Sequence, residues 1–171
     1  MVKAHKVAAQ IIATAVIGVG ACLFSLQGAA ASPDACALLG QAEVAAALGV
    51  AVGPGEHLMP TDTRFCSWHE QGNGQRRNVR VGVITDQQYH AGKTPISSLV
   101  VNTPEAGLGD EAYFSKAKGM VYNLTVKKGD RYFRVQARSN VDALAKANDA
   151  ASDEEDKDID RNIARAILKK L

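Results

Sequence analysis

Alternation of apolar and polar residues marks several segments of the chain as strands that bury one face. Val79, Val81 and Val83 alternate with polar residues over 77–85. Residues 120–127 and 132–138 repeat the pattern on either side of the turn Lys128-Gly129-Asp130. This period of two is typical of antiparallel strands with one solvated face. With a strand over 63–69 and a segment opened by 107–114, the pattern predicts a sheet of about five or six strands.

Helical spacing of apolar residues occurs at both ends of this strand-rich region. Val44 and Leu48 lie one turn apart, and Gly49 follows as a stop signal. Near the C-terminus an apolar stripe can dock on a sheet; its members are Ile159, Ile163, Ala166 and Ile167. The acidic tract 149–160 suits the positive end of a helix, and we expect a solvated helix start there. The fold class predicted is therefore α+β: an antiparallel sheet flanked by N- and C-terminal helices.

The connecting segments are less regular. Asn73-Gly74 is a strong hairpin signal between the strands over 63–69 and 77–85. Residues 86–92 read as a short helix or a loop. The segment 94–105 stays unassigned, because Pro95 and Pro104 interrupt it.

The first 31 residues have the composition of an export signal. Lys3 and Lys6 precede an apolar run, and small residues around Ala29 and Ala31 form a cleavage site before Ser32. The prediction is a signal peptide over 1–31 and a single α+β domain over 32–171, exported to the periplasm or the medium. Two alternatives stay open. Lipidation of Cys22 would make a membrane-anchored lipoprotein, and an uncleaved apolar run is long enough to anchor the chain.

Charge gives no reason to expect nucleic acid as a partner. Only two of the 20 Lys and Arg residues, and none of the 18 Asp and Glu residues, precede Ser32. The predicted mature domain is therefore formally neutral, whereas nucleic-acid-binding domains are usually strongly basic. Contact with a membrane is expected only if the chain is lipidated or its signal is uncleaved.

Cys36 and Cys66 are the two cysteines of the predicted mature domain. Two cysteines in an oxidising compartment most simply pair with each other, so a disulfide is predicted. The alternative is a reactive or metal-binding thiol pair, because His69 lies three residues after Cys66.

No catalytic or metal constellation emerges from the remaining residues. His57, His69 and His90 are scattered singly, without the paired spacing of a zinc site, so neither metal nor cofactor is predicted. Ser67 and His69 share a strand face, but no acid follows to orient the histidine. The prediction is accordingly a non-enzymatic protein without catalytic residues.

The polar face of the predicted sheet is the candidate binding surface. Arginine and tyrosine on a rigid sheet can grip anionic groups and anchor interfaces. The side chains assigned to it are Arg80, Lys127, Tyr132, Arg134 and Arg138. The alternative interpretation is an ordinary solvated face, or one covered by a helix.

Short motifs resemble those of small bacterial envelope proteins and lipoproteins of unknown function. They comprise Asp34-Ala35-Cys36-Ala37-Leu38-Leu39, Glu43-Val44, Leu48-Gly49, Cys66-Ser67-Trp68, Gly107-Leu108-Gly109-Asp110-Glu111-Ala112 and Lys128-Gly129-Asp130. The resemblance implies a PsbP-like fold, with an antiparallel sheet between helices, and implies no catalytic residues.

These observations predict a ligand- or protein-binding module of the cell envelope. Its expected partner is an envelope protein or a small anionic ligand. The first alternative is a structural or accessory subunit of an envelope complex, and the second is a small hydrolase.

Overall fold

The structure, a computed structural model, describes residues 34–72, 77–94, 97–118, 120–139 and 150–171. Side chains in the last range are described from Asp153 onward. The strands of this part are β1 (Glu56–Met59), β2 (Asp62–His69), β3 (Asn78–Ile84), β4 (Val100–Glu105), β5 (Glu111–Ala117), β6 (Asn123–Lys128) and β7 (Arg131–Arg138). The helices are α1 (Gln41–Leu48), α2 (Asp86–Lys93) and α3 (Ala150–Leu168), and a short 3-10 helix, Ala35–Ala37, precedes α1.

All described strands belong to one antiparallel sheet, in the order β1-β2-β3-β7-β6-β5-β4. The α+β class is confirmed, but the predicted five or six strands are wrong because the described sheet has seven. The strands that the sequence did not reveal, β1 and β4, form the two edges. Edge strands bury little of either face, so they lack the alternation that marks inner strands. Pro104 lies within β4 because an edge strand tolerates the loss of one N–H donor.

The apolar face of the sheet forms the main core. Val79, Val81, Leu124, Phe133 and Val135 are all nearly or fully buried. Helix α3 packs on this face against β6 and β7, and α1 packs beside α3. The predicted helix stop is confirmed, since Gly49 closes α1 with φ at 68°.

Two aspartates of α3 complete the hydrogen bonding of β7 where its neighbour ends. Strand β6 begins at Asn123, so it offers no strand partner beyond the middle of β7. Asp160 Oδ1 accepts the N–H of Ala137, and Asp156 Oδ1 accepts that of Ser139, both at 2.6 Å. Four residues of a helix rise about 6 Å and two strand residues about 6.7 Å, so the pairs match in spacing. The expected solvated helix start is therefore wrong at these two positions, which are buried.

Burial makes Asp160 the most perturbed carboxyl of this interface. It raises the pKa of Asp160 well above the usual aspartate range, and the nearby Asp156 carboxylate adds to the rise. Burial raises the pKa of Asp156 as well. Because the folded state holds the proton more tightly, the stabilising contribution of Asp160 is complete below about pH 4. It is lost as the pH rises through the folded-state pKa.

We expect Asp160→Asn to weaken the pH dependence of stability. The asparagine keeps an acceptor for the Ala137 N–H but cannot ionise, so the variant should be more stable than the wild type at pH 8. Asp160→Ala should lower the free energy of unfolding by about 2 kcal/mol at pH 5, since it leaves that N–H buried and unpaired. Urea unfolding between pH 4 and pH 8 measures both. The control is Asp158→Asn, an exposed neighbour on α3; an identical pH profile for Asp160→Asn and wild type would contradict the account.

Several predictions concern residues outside the described part of the chain. They are the signal peptide over 1–31 with Cys22, the hairpin tip at 73–76 and the break at Pro95. Within the described part, no helix combines the length and apolar character needed to cross a membrane.

Candidate functional site

Strand register places the five predicted binding residues on one face of the sheet, opposite α3. Arg80 lies on β3, Lys127 on β6, and Tyr132, Arg134 and Arg138 on β7. Directly opposed residues of antiparallel strands point to the same side. Arg80 pairs with Gln136, and Lys127 pairs with Tyr132. The five nevertheless fall into two separate groups along β7.

Three of them form what we call the arginine cluster: Arg80, Arg134 and Arg138. Arg80 lies opposite Gln136, so it is the diagonal neighbour of both other arginines. Diagonal side chains lie about 7–8 Å apart, within reach of a guanidinium. Arg134 and Arg138 are four residues apart on one strand, which separates their Cα atoms by about 13 Å. The cluster is therefore an elongated strip of positive charge.

The arginine cluster has no acidic partner among the described residues. No described carboxylate forms an ion pair within 4.0 Å of any of its guanidinium groups. By contrast, Arg64 pairs with Asp62 at 2.8 Å, and Arg161 with Glu105 at 2.9 Å. Arg134 has two described polar contacts: a long bond of 3.4 Å from its Nε to Thr125 Oγ1, and a hydrogen bond to the Tyr113 hydroxyl. The charges of the cluster are thus not neutralised by described residues of the protein.

Polar side chains surround the cluster on the neighbouring strands. Ser67 pairs with Arg80, and Asn78 pairs with Arg138. Gln136 lies between the two arginines of β7 and is half-buried. The amides of Asn78 and Gln136 can donate hydrogen bonds to the oxygens of a carboxylate or phosphate, whereas the Ser67 hydroxyl is buried.

Lys127 and Tyr132 belong to a different environment, beneath α2. The Tyr132 hydroxyl donates to Asp86 Oδ1 at 2.6 Å, and the Lys127 Nζ lies 5.8 Å from the centre of the Tyr132 ring. Lys127 also lies opposite Glu111, whose carboxylate accepts a hydrogen bond from Tyr89 at 2.8 Å. Both residues thus lie among tyrosines and acids that hold α2 to the sheet.

Helix α2 covers one end of the polar face for identifiable reasons. Its start is fixed by a capping box, in which Thr85 Oγ1 accepts the Gln88 N–H and Gln88 Oε1 accepts the Thr85 N–H. Its one fully buried side chain, Tyr89, packs against Tyr113 and Tyr132. Asn102 of β4 donates to the last carbonyls of the helix, those of Gly92 and Lys93. Arg134 is half-buried and reaches the end of this helix at Gly92, whereas Arg80 is exposed and lies farther along the face.

Ser67 and His69 are brought together but lack the features of a hydrolase site. Ser67 Oγ lies 2.9 Å from His69 Nε2, yet Ser67 is only 2 % exposed. None of the described carboxylates is hydrogen bonded to His69. His69 does line a polar cavity of about 370 Å³ together with Glu56 and Glu70. Glu111 is remote from this cavity. Across the sheet His69 is level with Arg138 of β7, whereas Glu111 is level with Tyr132, six residues or about 20 Å away along the same strand.

The predicted disulfide between Cys36 and Cys66 is confirmed. It ties the 3-10 helix to β2 beside the core. No role was predicted for His57 from the sequence. In the structure His57 lies on β1 opposite Cys66, and its Nε2 is 2.9 Å from Asp34 Oδ1. This hydrogen bond is the main reason why the pKa of Asp34 is lowered. The sequence could not reveal the pair because β1 itself was not predicted.

The Gly-Leu-Gly-Asp motif, residues 107–110, connects the start of β5 to the hairpin of β6 and β7 by hydrogen bonds. Leu108 is buried in the core, and the Asp110 N–H donates to the Lys127 carbonyl at 2.8 Å. The Asp110 carboxylate accepts the Gly129 N–H at 2.6 Å and a bond from Lys128 Nζ at 2.9 Å. The bond from the Gly129 N–H is the main cause of the lowered pKa of Asp110, and the bond from Lys128 adds to it. The motif therefore stabilises the turn between β6 and β7.

Comparisons with protein-family models, with curated proteins and with solved structures return no match to this chain.

Proposed function

We propose that this chain is a non-enzymatic exported module that binds an elongated anionic ligand through Arg80, Arg134 and Arg138. The observation that carries the proposal is the strip of three neighbouring arginines, exposed at Arg80, without a described acidic partner. Guanidinium groups bind carboxylate and phosphate through paired hydrogen bonds. A strip about 13 Å long favours a ligand with two or more negative groups over a single small ion.

Export is proposed on the strength of two observations. The first 31 residues have the composition of a signal peptide. The Cys36–Cys66 disulfide is typical of an oxidising compartment. In that setting the proposed ligand is an acidic component of the envelope, either an acidic protein segment or an acidic glycan. The resemblance to small envelope proteins of unknown function agrees with this assignment.

Replacing the arginines one at a time by glutamine should weaken binding of an anionic probe about tenfold or more per residue. Each substitution removes charge-assisted hydrogen bonds but keeps a side chain of similar length. Tripolyphosphate and a short oligogalacturonate serve as probes of the two anion chemistries. Isothermal titration calorimetry at low and high salt gives the affinities, which should fall with ionic strength.

The matched control is Arg165→Gln, which removes one positive charge from an exposed position on α3, across the sheet. It should bind both probes as the wild type does. Equal losses for Arg165→Gln and Arg134→Gln would mean that only net charge matters, and the proposed site would be wrong.

A structural or accessory subunit is the second candidate function, and one surface favours it. Leu99 and Val101 are 63 % and 64 % exposed and line a groove of about 400 Å³ with Tyr122. Met120 is 58 % exposed and lies near the groove, because its N–H donates a hydrogen bond to the carbonyl of Ala117, a residue that lines the groove. Apolar clusters of this kind often mark docking sites. Because the groove lies near the β4 edge, docking there should survive substitution of the arginine cluster.

A further inference from the structure

Four side chains with metal-binding atoms meet at the corner of the sheet that holds the disulfide. Ligand atoms of Asp34, Cys36 and His57 all lie within 4.8 Å of one another. Cys66 Sγ joins them because it is bonded to Cys36 Sγ. The set comprises one carboxylate oxygen, one imidazole nitrogen and two sulfurs, which are the donor types of zinc proteins.

Local structure holds these residues in two pairs, Asp34 with Cys36 and His57 with Cys66. Asp34 caps the 3-10 helix by accepting the Cys36 N–H at 2.8 Å, which holds residues 34 and 36 together. His57 and Cys66 are directly opposed in the register of β1 and β2, so their side chains share one face. Three separate segments thus converge on one point, as in a zinc site built from distant parts of a chain.

In the oxidised protein only two of the four residues can serve as ligands. A disulfide sulfur is a poor donor for zinc, which prefers thiolate. Asp34 and His57 alone supply two ligands, fewer than the four of a structural zinc site. The metal-binding capacity of this corner therefore depends on the state of the Cys36–Cys66 bond.

We propose that reduction of the Cys36–Cys66 disulfide by a dithiol creates a four-ligand Zn²⁺ site formed by Asp34, Cys36, His57 and Cys66. The dithiol supplies two electrons and two protons, and itself closes to a disulfide. Zn²⁺ then replaces the protons of the two thiols, which pass to solvent, while neutral His57 and ionised Asp34 bind directly. Tetrahedral zinc–sulfur bonds of about 2.3 Å require the sulfurs to separate to about 3.8 Å.

Access and charge are both compatible with this site. The Asp34 and His57 side chains are 46 % and 28 % exposed, so an ion can reach the corner from their side, with the fully buried Cys66 as its innermost ligand. Two thiolates and one carboxylate carry three negative charges, which Zn²⁺ reduces to one. The site is independent of the arginine cluster, which occupies the opposite face of the sheet.

Cobalt titration of the full chain carrying Cys22→Ala tests the proposal, because only Cys36 and Cys66 then remain as thiols. After reduction with a phosphine, one Co²⁺ per chain should produce thiolate-to-cobalt charge-transfer absorption and the visible bands of tetrahedral cobalt. Zn²⁺ should abolish both signals. The oxidised protein should show neither. Absence of tetrahedral bands in the reduced protein would overturn the proposal.

His57→Gln distinguishes a folded site from a pair of free thiols. This variant keeps both cysteines, and its affinity for Co²⁺ in the reduced state should fall at least tenfold. The matched control, His90→Gln, alters an exposed histidine of α2 and should leave the affinity unchanged. If reduction unfolds the chain, stoichiometric Zn²⁺ should restore its circular dichroism spectrum. Failure to restore it, or equal affinities for the reduced wild type, His57→Gln and the urea-unfolded protein, would overturn the assignment.

Discussion

Replacing both Cys36 and Cys66 by alanine is expected to lower the free energy of unfolding by about 3–4 kcal/mol. The disulfide closes a loop of 30 residues between the 3-10 helix and β2, so its loss enlarges the conformational freedom of the unfolded chain. Cys66 is also fully buried beside Trp68, so the substitution removes packing volume from the core. Urea unfolding of the oxidised wild type and the double variant measures the difference.

Chemical reduction of the wild type provides an independent comparison, since it opens the same loop without changing the sequence. The reduced protein and the double variant should lose similar amounts of stability, measured in the absence of metal. An intact mass two hydrogens below that of the reduced chain verifies that the bond is present at the start. A loss below 1 kcal/mol in both samples would contradict a stabilising role for the disulfide.

Gly109→Ala is expected to lower the free energy of unfolding by about 3 kcal/mol. Gly109 has φ at 62°, and an added Cβ would lie 2.3 Å from the Lys127 carbonyl oxygen. The left-handed conformation costs an alanine about 1–2 kcal/mol, and the overlap with a backbone atom adds to that cost. The bond from the Asp110 N–H to the same carbonyl should lengthen or break. Thermal or urea unfolding measures the effect.

Gly107→Ala is the matched control in the same motif. Gly107 also has a positive φ, 78°, but an added Cβ would meet no atom within 4 Å. Its alanine variant should therefore show only the conformational cost of about 1–2 kcal/mol. Equal losses at the two positions would show that the close approach of Gly109 to β6 has no energetic consequence.

The inner strands could be predicted from the sequence because the apolar residues on one face of each are largely buried. In β7, Phe133, Val135 and Ala137 are buried while Arg134 and Gln136 are only partly so, and the same contrast produces the alternation in the sequence. Strands β1 and β4 escaped prediction because they lie at the edges. Leu58, Met59 and Val101 remain exposed there, so no period of two is imposed on them.

The acidic start of α3 contains charged residues that are buried, although charged side chains are usually exposed to solvent. Asp156 and Asp160 were expected to be solvated, yet they continue the stripe that Ile163 and Ile167 form at spacings of three and four residues. That periodicity was visible in the sequence. The hydrogen-bond partners of the two aspartates could not be predicted. The N–H groups of Ala137 and Ser139 need side-chain acceptors only because the pairing of β6 with β7 ends before these residues.

The candidate site was predictable as a face of the sheet but not as a defined cluster. Alternation placed Arg80, Arg134 and Arg138 on one side together with Lys127 and Tyr132. The position of α2 depends on Tyr89 packing against Tyr113 of β5 and Tyr132 of β7, which no local pattern predicts. That helix covers Lys127 and Tyr132 and reaches Arg134, while it leaves Arg80 exposed.

Titration of the arginine side-chain resonances by nuclear magnetic resonance tests the proposed anion site most directly. With uniformly ¹⁵N-labelled protein and tripolyphosphate or oligogalacturonate as the added anion, the Nε–Hε signals of Arg80, Arg134 and Arg138 should shift together and saturate. The signal of Arg165, on the opposite side of the sheet, should stay in place. If all exposed arginines shift to a similar extent without saturation, or if the three cluster signals do not move, the surface does not bind anions and the proposed function is wrong.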